Sequence, residues 1–323
     1  SFIKSFAGTH HFVMDYLIDA KEEVGDLASL THDLFISAYN ESARVTQPYA
    51  AVGAKAKHWW VLPEYSFEKS ELAALSDVSF LEGARESDVV MAGLAGMEKP
   101  LQSGTSLCVD ITGFMRNQIL FLMWYLKKLG VRHFDAIYTE PDHYSRKADT
   151  VFSERISVVR QVEGFAGSHQ PDWHNDVLLL GVGYDHDPMA RAILYKENAK
   201  LVQMHSLPSL SADMYHESLL RLDRVSSISR PTDQSVYFAS ANDPFVTATA
   251  LSQAWRELNA RKPITNLYLC PLATKAQTLG FGLFFLREMT KQPASIILPT
   301  VETYSRETSK GVGRTWLYPI QLQ

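Results

Sequence analysis

At 323 residues, 46% hydrophobic and 21% charged, the chain has the make-up of a globular protein that buries a substantial core, as one large α/β domain or two smaller ones. A net charge of −5 argues against broad, non-specific binding to DNA or RNA, while leaving room for a local basic pocket that takes a phosphate. No apolar run reaches the roughly 18 residues that a membrane span needs, and the opening SFIKSF lacks a signal-peptide layout, so no membrane partner is expected.

Residues 1–33 read as a peripheral cap, aromatic-rich over His11–Lys21 and then charged up to a glycine stop. Leu34–Tyr39, LFISAY, is the first strand; Asn40, Glu41, Ser42 and Arg44 make a polar turn into a helix over Ala43–Ala51, and KHWWVLP at Lys57–Pro63 is the next strand of a first crossover. Trp59 and Trp60 fit core and interface better than a base-stacking platform. Ser66–Glu86 reads as one helix or two short ones, and Val89–Ala95 as a short apolar run.

Ser106–Pro141 is a complete βαβ unit. SLCVDI ends on Asp110; Thr112, Gly113 and Arg116 crowd the start of a helix over Met115–Leu129 that is apolar nearly all round; Gly130 stops it, and FDAIYTEP leads to Glu140 and Asp142. A helix buried on most sides belongs inside a large sheet protein. Cys108 and Cys270 both lie in predicted strands, which fits buried thiols in a reducing compartment and hence a cytoplasmic location.

Lys147–Ser168 has mixed charge and loses its pattern in GFAGSHQPDWHND, a loop that places an internal boundary near 163–176 in what otherwise reads as one domain over 1–323. Beyond it come strand Asp176–Val182, turn GYDHDP, helix Met189–Glu197, strand Lys200–Leu207, an amphipathic helix over Ser211–Arg224 and the linker SSISRPTDQ. Strand Ser235–Ala239, helix Val246–Asn259, strand Asn266–Pro271, helix Gln277–Lys291 and strand Ser295–Pro299 complete the alternation, before a loop and a short final strand. This order implies an α/β, Rossmann-like fold, with a mainly parallel sheet and helices on both faces.

The functional signal is a recurrence at strand ends, which in a parallel sheet share one rim where ligands bind. The turn residues are Asn40, Ser42 and Arg44; Asp110, Thr112 and Arg116; Glu140, Asp142 and Tyr144; Gly183, Asp185 and Asp187; Ser240, Asn242 and Asp243; Thr274 and Lys275. Taken singly, most are what helix caps and turns require. A cap does not require a cation one turn later, as at Arg44, Arg116 and Lys275, and a cation beside a helix N-terminus is unfavourable unless an anion sits between them. Phosphate resolves that conflict.

In Leu267–Leu279, LYLCPLATKAQTL, a strand feeds a Pro, a small-residue turn and Thr274-Lys275 at the mouth of an apolar helix. The glycine spacing of a phosphate loop is missing, and no GxGxxG opens a helix. The stretch and the order of elements resemble CARF-type and SAVED-type Rossmann-like sensors, which bind cyclic nucleotides or oligonucleotides in bacterial immune signalling; Leu272 and Ala273 stand where those sensors carry glycines. The resemblance implies a nucleotide sensor of antiviral defence in which Thr274 and Lys275 hold phosphate and 110–116 lines the opposite half of the pocket.

An enzymatic reading rests on Asp185 and Asp187, with His186 between them, and on Glu140, acting as acid and base or holding a divalent metal. A solvated turn before Pro188 has the same composition. The histidines, His10, His11, His169, His174, His205 and His216, show no zinc spacing, and neither GxSxG nor a Cys-His pairing supplies a nucleophile. Met189, Met204 and Met214 read as core.

The first reading is therefore a module that binds a nucleotide or other phosphorylated small molecule. Arg44, Arg116 and Lys275 neutralise phosphate, Thr112 and Thr274 add hydroxyls, and Asp110, Glu140, Asn242 or Asp243 read sugar or base. The second is a nucleotide-processing hydrolase or transferase using Asp185, Asp187 and Glu140. The third is a scaffold that binds a protein through Trp59, Trp60 and Trp173. With no effector segment apparent, the sensor reading also calls for a protein partner.

Overall fold

The computed structural model describes residue 16 and residues 18–97, 101, 104–142, 153–210, 235–306 and 311–322. The helix expected over Ser211–Arg224, the 226–234 linker, and Tyr144, His10, His11, His216 and Met214 lie outside these residues.

The strands form two sheets where one was expected. The first runs β1(Glu22–Glu23), β13(Thr315–Gln321), β6(His133–Thr139), β5(Leu107–Asp110), β2(Thr31–Ala38), β3(Gly53–Val61), β4(Val78–Phe80); the second runs β10(Val236–Ala239), β9(Lys200–Ser206), β8(Val177–Gly181), β11(Leu267–Pro271), β12(Ala294–Tyr304), β7(Ser153–Ala166). In chain order each sheet contains the same parallel set, third-second-first-fourth-fifth: β4-β3-β2-β5-β6 in one and β10-β9-β8-β11-β12 in the other. An antiparallel strand then extends each set beyond its fifth member, and the two are exchanged. β7 follows β6 in the chain but pairs with β12, while β13 follows β12 but pairs with β6.

The helices are α1(Ala43–Ala51), α2(Glu86–Ala95), α3(Arg116–Lys128), α4(His186–Tyr195), α5(Pro244–Arg261) and α6(Lys275–Phe284), the last continuing into a π-helical turn over Phe285–Met289. α3 packs against α2, α6 and the exchanged strand β7, which explains a helix apolar on most sides: it lies between the two halves. One hydrophobic core joins them, with Trp60, Phe114, Leu120 and Met123 from the first and Phe165, Phe245, Phe281 and Phe284 from the second. A small separate cluster of Phe35, Val52, Cys108 and Ile137 lies elsewhere in the first half, with Leu27, Tyr49 and Leu317 packed against it. Both cysteines are buried free thiols, and burial raises both thiol pKa values. No helix among the described residues is long and apolar enough to cross a membrane.

Several expectations are corrected. Ser66–Glu86 is not helical but a run of turns around the short strand β4; Ser66 and Asp77 sit in the left-handed region at φ 51° and 52°, where a helix cannot propagate. The apolar run Val89–Ala95 belongs to α2. The patternless Lys147–Ser168 contains the 14-residue strand β7, and 163–176 holds its end and the loop into β8. Irregular register against β12 spaces its buried Val159, Val162 and Phe165 three apart instead of two, which hides the strand period. Trp59 and Trp60 are 5% and 0% exposed, so neither offers a docking surface; Trp173 is 64% exposed. From the expected cap, Tyr16 is buried and donates to Glu288 at 2.9 Å, while Thr31–Asp33 already belong to β2.

Candidate functional site

In a third-second-first-fourth-fifth sheet the order reverses between the first and fourth strands, so the crevice lies beyond the C-terminal ends of β2 and β5 in one half and of β8 and β11 in the other. The turns there are pressed together: a Cβ on Gly113 would collide with the Ala38 carbonyl oxygen, and one on Gly183 with that of Leu272. The two crevices meet. Arg116, the first residue of α3, donates to the Leu272 oxygen at 3.2 Å and to that of Ala273; Lys275, the first residue of α6, donates in return to the Thr112 oxygen. These reciprocal bonds form a seam between the halves.

Arg44 completes the cluster. It is 8% exposed, donates through one terminal nitrogen to the Thr139 oxygen at 3.0 Å, and leaves its buried Nε without a hydrogen-bond partner. The Arg116 Nε is likewise buried and unpartnered. Burial, then Arg44 and Arg116, push the Lys275 ammonium well below its ordinary value, with Asp110 opposing them weakly. Asp110 is fully buried and already accepts from Ser37 Oγ at 3.0 Å and the Thr112 N–H at 2.9 Å; burial raises its carboxyl despite those bonds and Lys275. Among the described residues none of the three cations has a carboxylate ion-pair partner, and each sits at a helix N-terminus, where the backbone is already positive. Thr112 ties the seam to β6, its Oγ1 accepting the Thr139 N–H at 3.0 Å.

Sequence reasoning missed Tyr304 and Tyr65. Burial raises the Tyr304 hydroxyl, and Arg116 and Arg44 act on it from close by. It enters the seam because β12 runs on to Tyr304, well past the Pro299 at which an isolated strand pattern ends. Tyr65 packs edge-on against Tyr304 at 6.0 Å, donates to the Gly113 oxygen at 2.8 Å and accepts from Asn40 Nδ2 at 3.2 Å, so it holds the turn behind Arg116. No local pattern marks either tyrosine.

The other candidates divide into two groups. Ser42, Asp185, Asp243 and Thr274 are N-caps, each accepting an N–H from the first turn of its helix, and Thr274 also donates to the Ala241 oxygen. Glu140 and Asn242 form a latch: Glu140 accepts from Asn242 Nδ2 at 3.0 Å and Trp316 Nε1 at 2.9 Å and pairs with Arg314 at 3.3 Å, while Asn242 Oδ1 accepts from Ser240 and Lys21. Both Glu140 oxygens are thus engaged, and Oε1 links Trp316 of β13 to Asn242 of the second half. Asp187 pairs with His186 at 3.1 Å on the first turn of α4. Among the described residues no group of three or more His, Cys, Asp or Glu side chains is arranged to hold a metal ion.

What remains is a positively charged seam whose cations are settled on backbone carbonyls, an arrangement suited to an anion that accepts several hydrogen bonds at once. No protein-family model matches the chain, and no curated protein matches it.

Proposed function

We propose that the seam binds a nucleotide or similar phosphorylated small molecule, and that the protein is a ligand-sensing module. The observation that carries this reading is the excess of positive charge: among the described residues Arg44, Arg116 and Lys275 converge on a single nearby carboxylate, Asp110, without forming an ion pair to it, and two buried guanidinium Nε atoms have no hydrogen-bond partner. An unpaired buried cation is costly to a fold, and a phosphate supplies both the missing charge and the missing acceptors. Because the seam joins the two halves, an anion there bears on how they are held together. The likeness of Leu267–Leu279 to CARF-type and SAVED-type sensors supports placing that response in bacterial defence signalling, passed on to a protein partner. The enzymatic alternative draws no comparable support, since Glu140 is held in the latch and Asp185 serves as a cap.

The test is to denature the purified protein, identify any released phosphorus-containing small molecule by mass spectrometry, and titrate that compound into wild type and Arg44→Ala/Arg116→Ala. Binding to wild type that the double variant loses supports the reading; equal binding to both ends it.

A further inference from the structure

Two neighbouring side chains hold Tyr304 against the seam. Tyr65 sets its ring at 86° to that of Tyr304, centroids 6.0 Å apart, and donates its hydroxyl to the Gly113 oxygen at 2.8 Å, next to the Thr112 carbonyl that receives Lys275. The same hydroxyl accepts from Asn40 Nδ2, and Asn40 Oδ1 takes the Ser42 N–H at the start of the helix that carries Arg44. Two residues beyond Tyr304, Arg306 lies 3.9 Å over the Phe67 ring, donates to the Tyr65 and Ser66 oxygens and pairs with Glu71 at 3.0 Å. Tyr304 is thus fixed from behind, yet its ring is only partly buried, whereas Tyr65 is 3% exposed. Among the described residues no hydrogen bond engages the Tyr304 hydroxyl, on which Arg116 and Arg44 act, and the buried Nε atoms of both arginines are unpartnered as well.

We propose that Tyr304 is the stacking surface for the aromatic base of a nucleotide whose phosphate is held by Arg44 and Arg116. This inference rests on the anion-binding reading above and narrows it: the site selects a ligand that carries a planar ring over a phosphorylated sugar or inorganic phosphate. An anion between the guanidinium groups sits at the hydroxyl end of Tyr304, and the remainder of the ligand extends along the partly exposed ring. A base there displaces water from an aromatic face that Tyr65 and the Arg306 clamp already hold in place, so little ordering is lost on binding. A sugar offers hydroxyls, for which the ring supplies no partner. Tyr304 is therefore a specificity residue. Stacking reads a π-face and not a hydrogen-bonding edge, so the preference for a base extends across bases.

Calorimetric titration of wild type, Tyr304→Phe, Tyr304→Leu and Arg44→Ala/Arg116→Ala with adenosine 5′-monophosphate, ribose 5-phosphate and inorganic phosphate tests this. Wild type is expected to bind the nucleotide about tenfold tighter than ribose 5-phosphate. Tyr304→Phe should keep that ratio, Tyr304→Leu should bring it close to one with ribose 5-phosphate unchanged, and the double arginine variant should lose all three probes. Should Tyr304→Leu fail to fold, photolysis of an azidoadenosine monophosphate bound to wild type locates the base without a substitution, with the label expected on Tyr304. A wild-type ratio near one, a Tyr304→Leu protein that keeps the preference, a Tyr304→Phe protein that loses it, or a photolabel only at residues remote from Tyr304 overturns the stacking role while the anion site stands. Wild type binding no probe, or the arginine variant binding all three like wild type, overturns the anion site itself.

Discussion

Two of the charged contacts between the halves are settled in opposite ways. At the first, the Glu86 carboxylate of α2, whose side chain is 0% exposed, receives Arg160 from the exchanged strand β7 through both terminal nitrogens, together with the Glu163 N–H at 2.8 Å and Asn117 at 3.3 Å. Burial alone would raise this carboxyl, but the Arg160 and Glu163 bonds outweigh it and hold the group below its ordinary value. At the second, three cations face one carboxylate, Asp110, whose oxygens are already taken by Ser37 and Thr112. The first contact is complete without a ligand. The second has more positive charge than the protein itself neutralises, which is costly for stability and useful for binding.

The largest effect is expected from breaking the balanced contact. Arg160→Ala strands a buried carboxylate and should cost about 3 kcal/mol in a urea melt, while Glu86→Met/Arg160→Met should recover most of that loss, because breaking a buried pair is far worse than replacing it whole. Phosphate affinity should change little in either variant. At the seam, Arg44→Ala or Arg116→Ala should weaken phosphate binding by about 2 kcal/mol, as expected for a charge-assisted hydrogen bond, with a smaller fall in melting temperature than Arg160→Ala. A melting temperature that drops as far as in Arg160→Ala would make the seam a structural ion cluster like the first. Lys275→Met should raise the melting temperature by about 2 °C and abolish binding, since it removes a buried ammonium that has no carboxylate ion-pair partner.

The smallest effect is in pH dependence. With Lys275 held below the ordinary lysine value of 10.5, the unfolded chain binds more protons than the folded one between the depressed value and 10.5, so stability from this group rises with pH across that window. An anion at the seam restores the charged form, so binding there should take up protons. Titrations in buffers of different ionisation enthalpy measure the uptake, and an uptake of zero throughout that window would set Lys275 outside the site.

The alternation of strands and helices is legible in the chain because 107–139 and 267–299 carry their apolar runs and turn chemistry locally. The cations at Arg44, Arg116 and Lys275 are legible for the same reason: their conflict with a helix N-terminus is a matter of a few residues. The division into two sheets is not, because it depends on β7 and β13 each leaving its own half for the other, and pairing at that separation leaves no period in the sequence. Tyr304 is hidden with it, since its place at the seam depends on β12 continuing along β7. The roles of Glu140 and Asn242 as a latch depend equally on Trp316 and Arg314 arriving from the far end of the chain.

Whether Arg44, Arg116 and Lys275 hold an anion, as proposed, is tested most directly by a crystal structure of the protein soaked in tungstate, whose anomalous scattering marks an oxyanion unambiguously. The account predicts a peak whose oxygens lie about 3 Å from nitrogens of all three side chains, with the Lys275 ammonium drawn off the Thr112 carbonyl. A seam without tungstate, with Lys275 still bonded to Thr112 and Arg116 to Leu272 and Ala273, would contradict it.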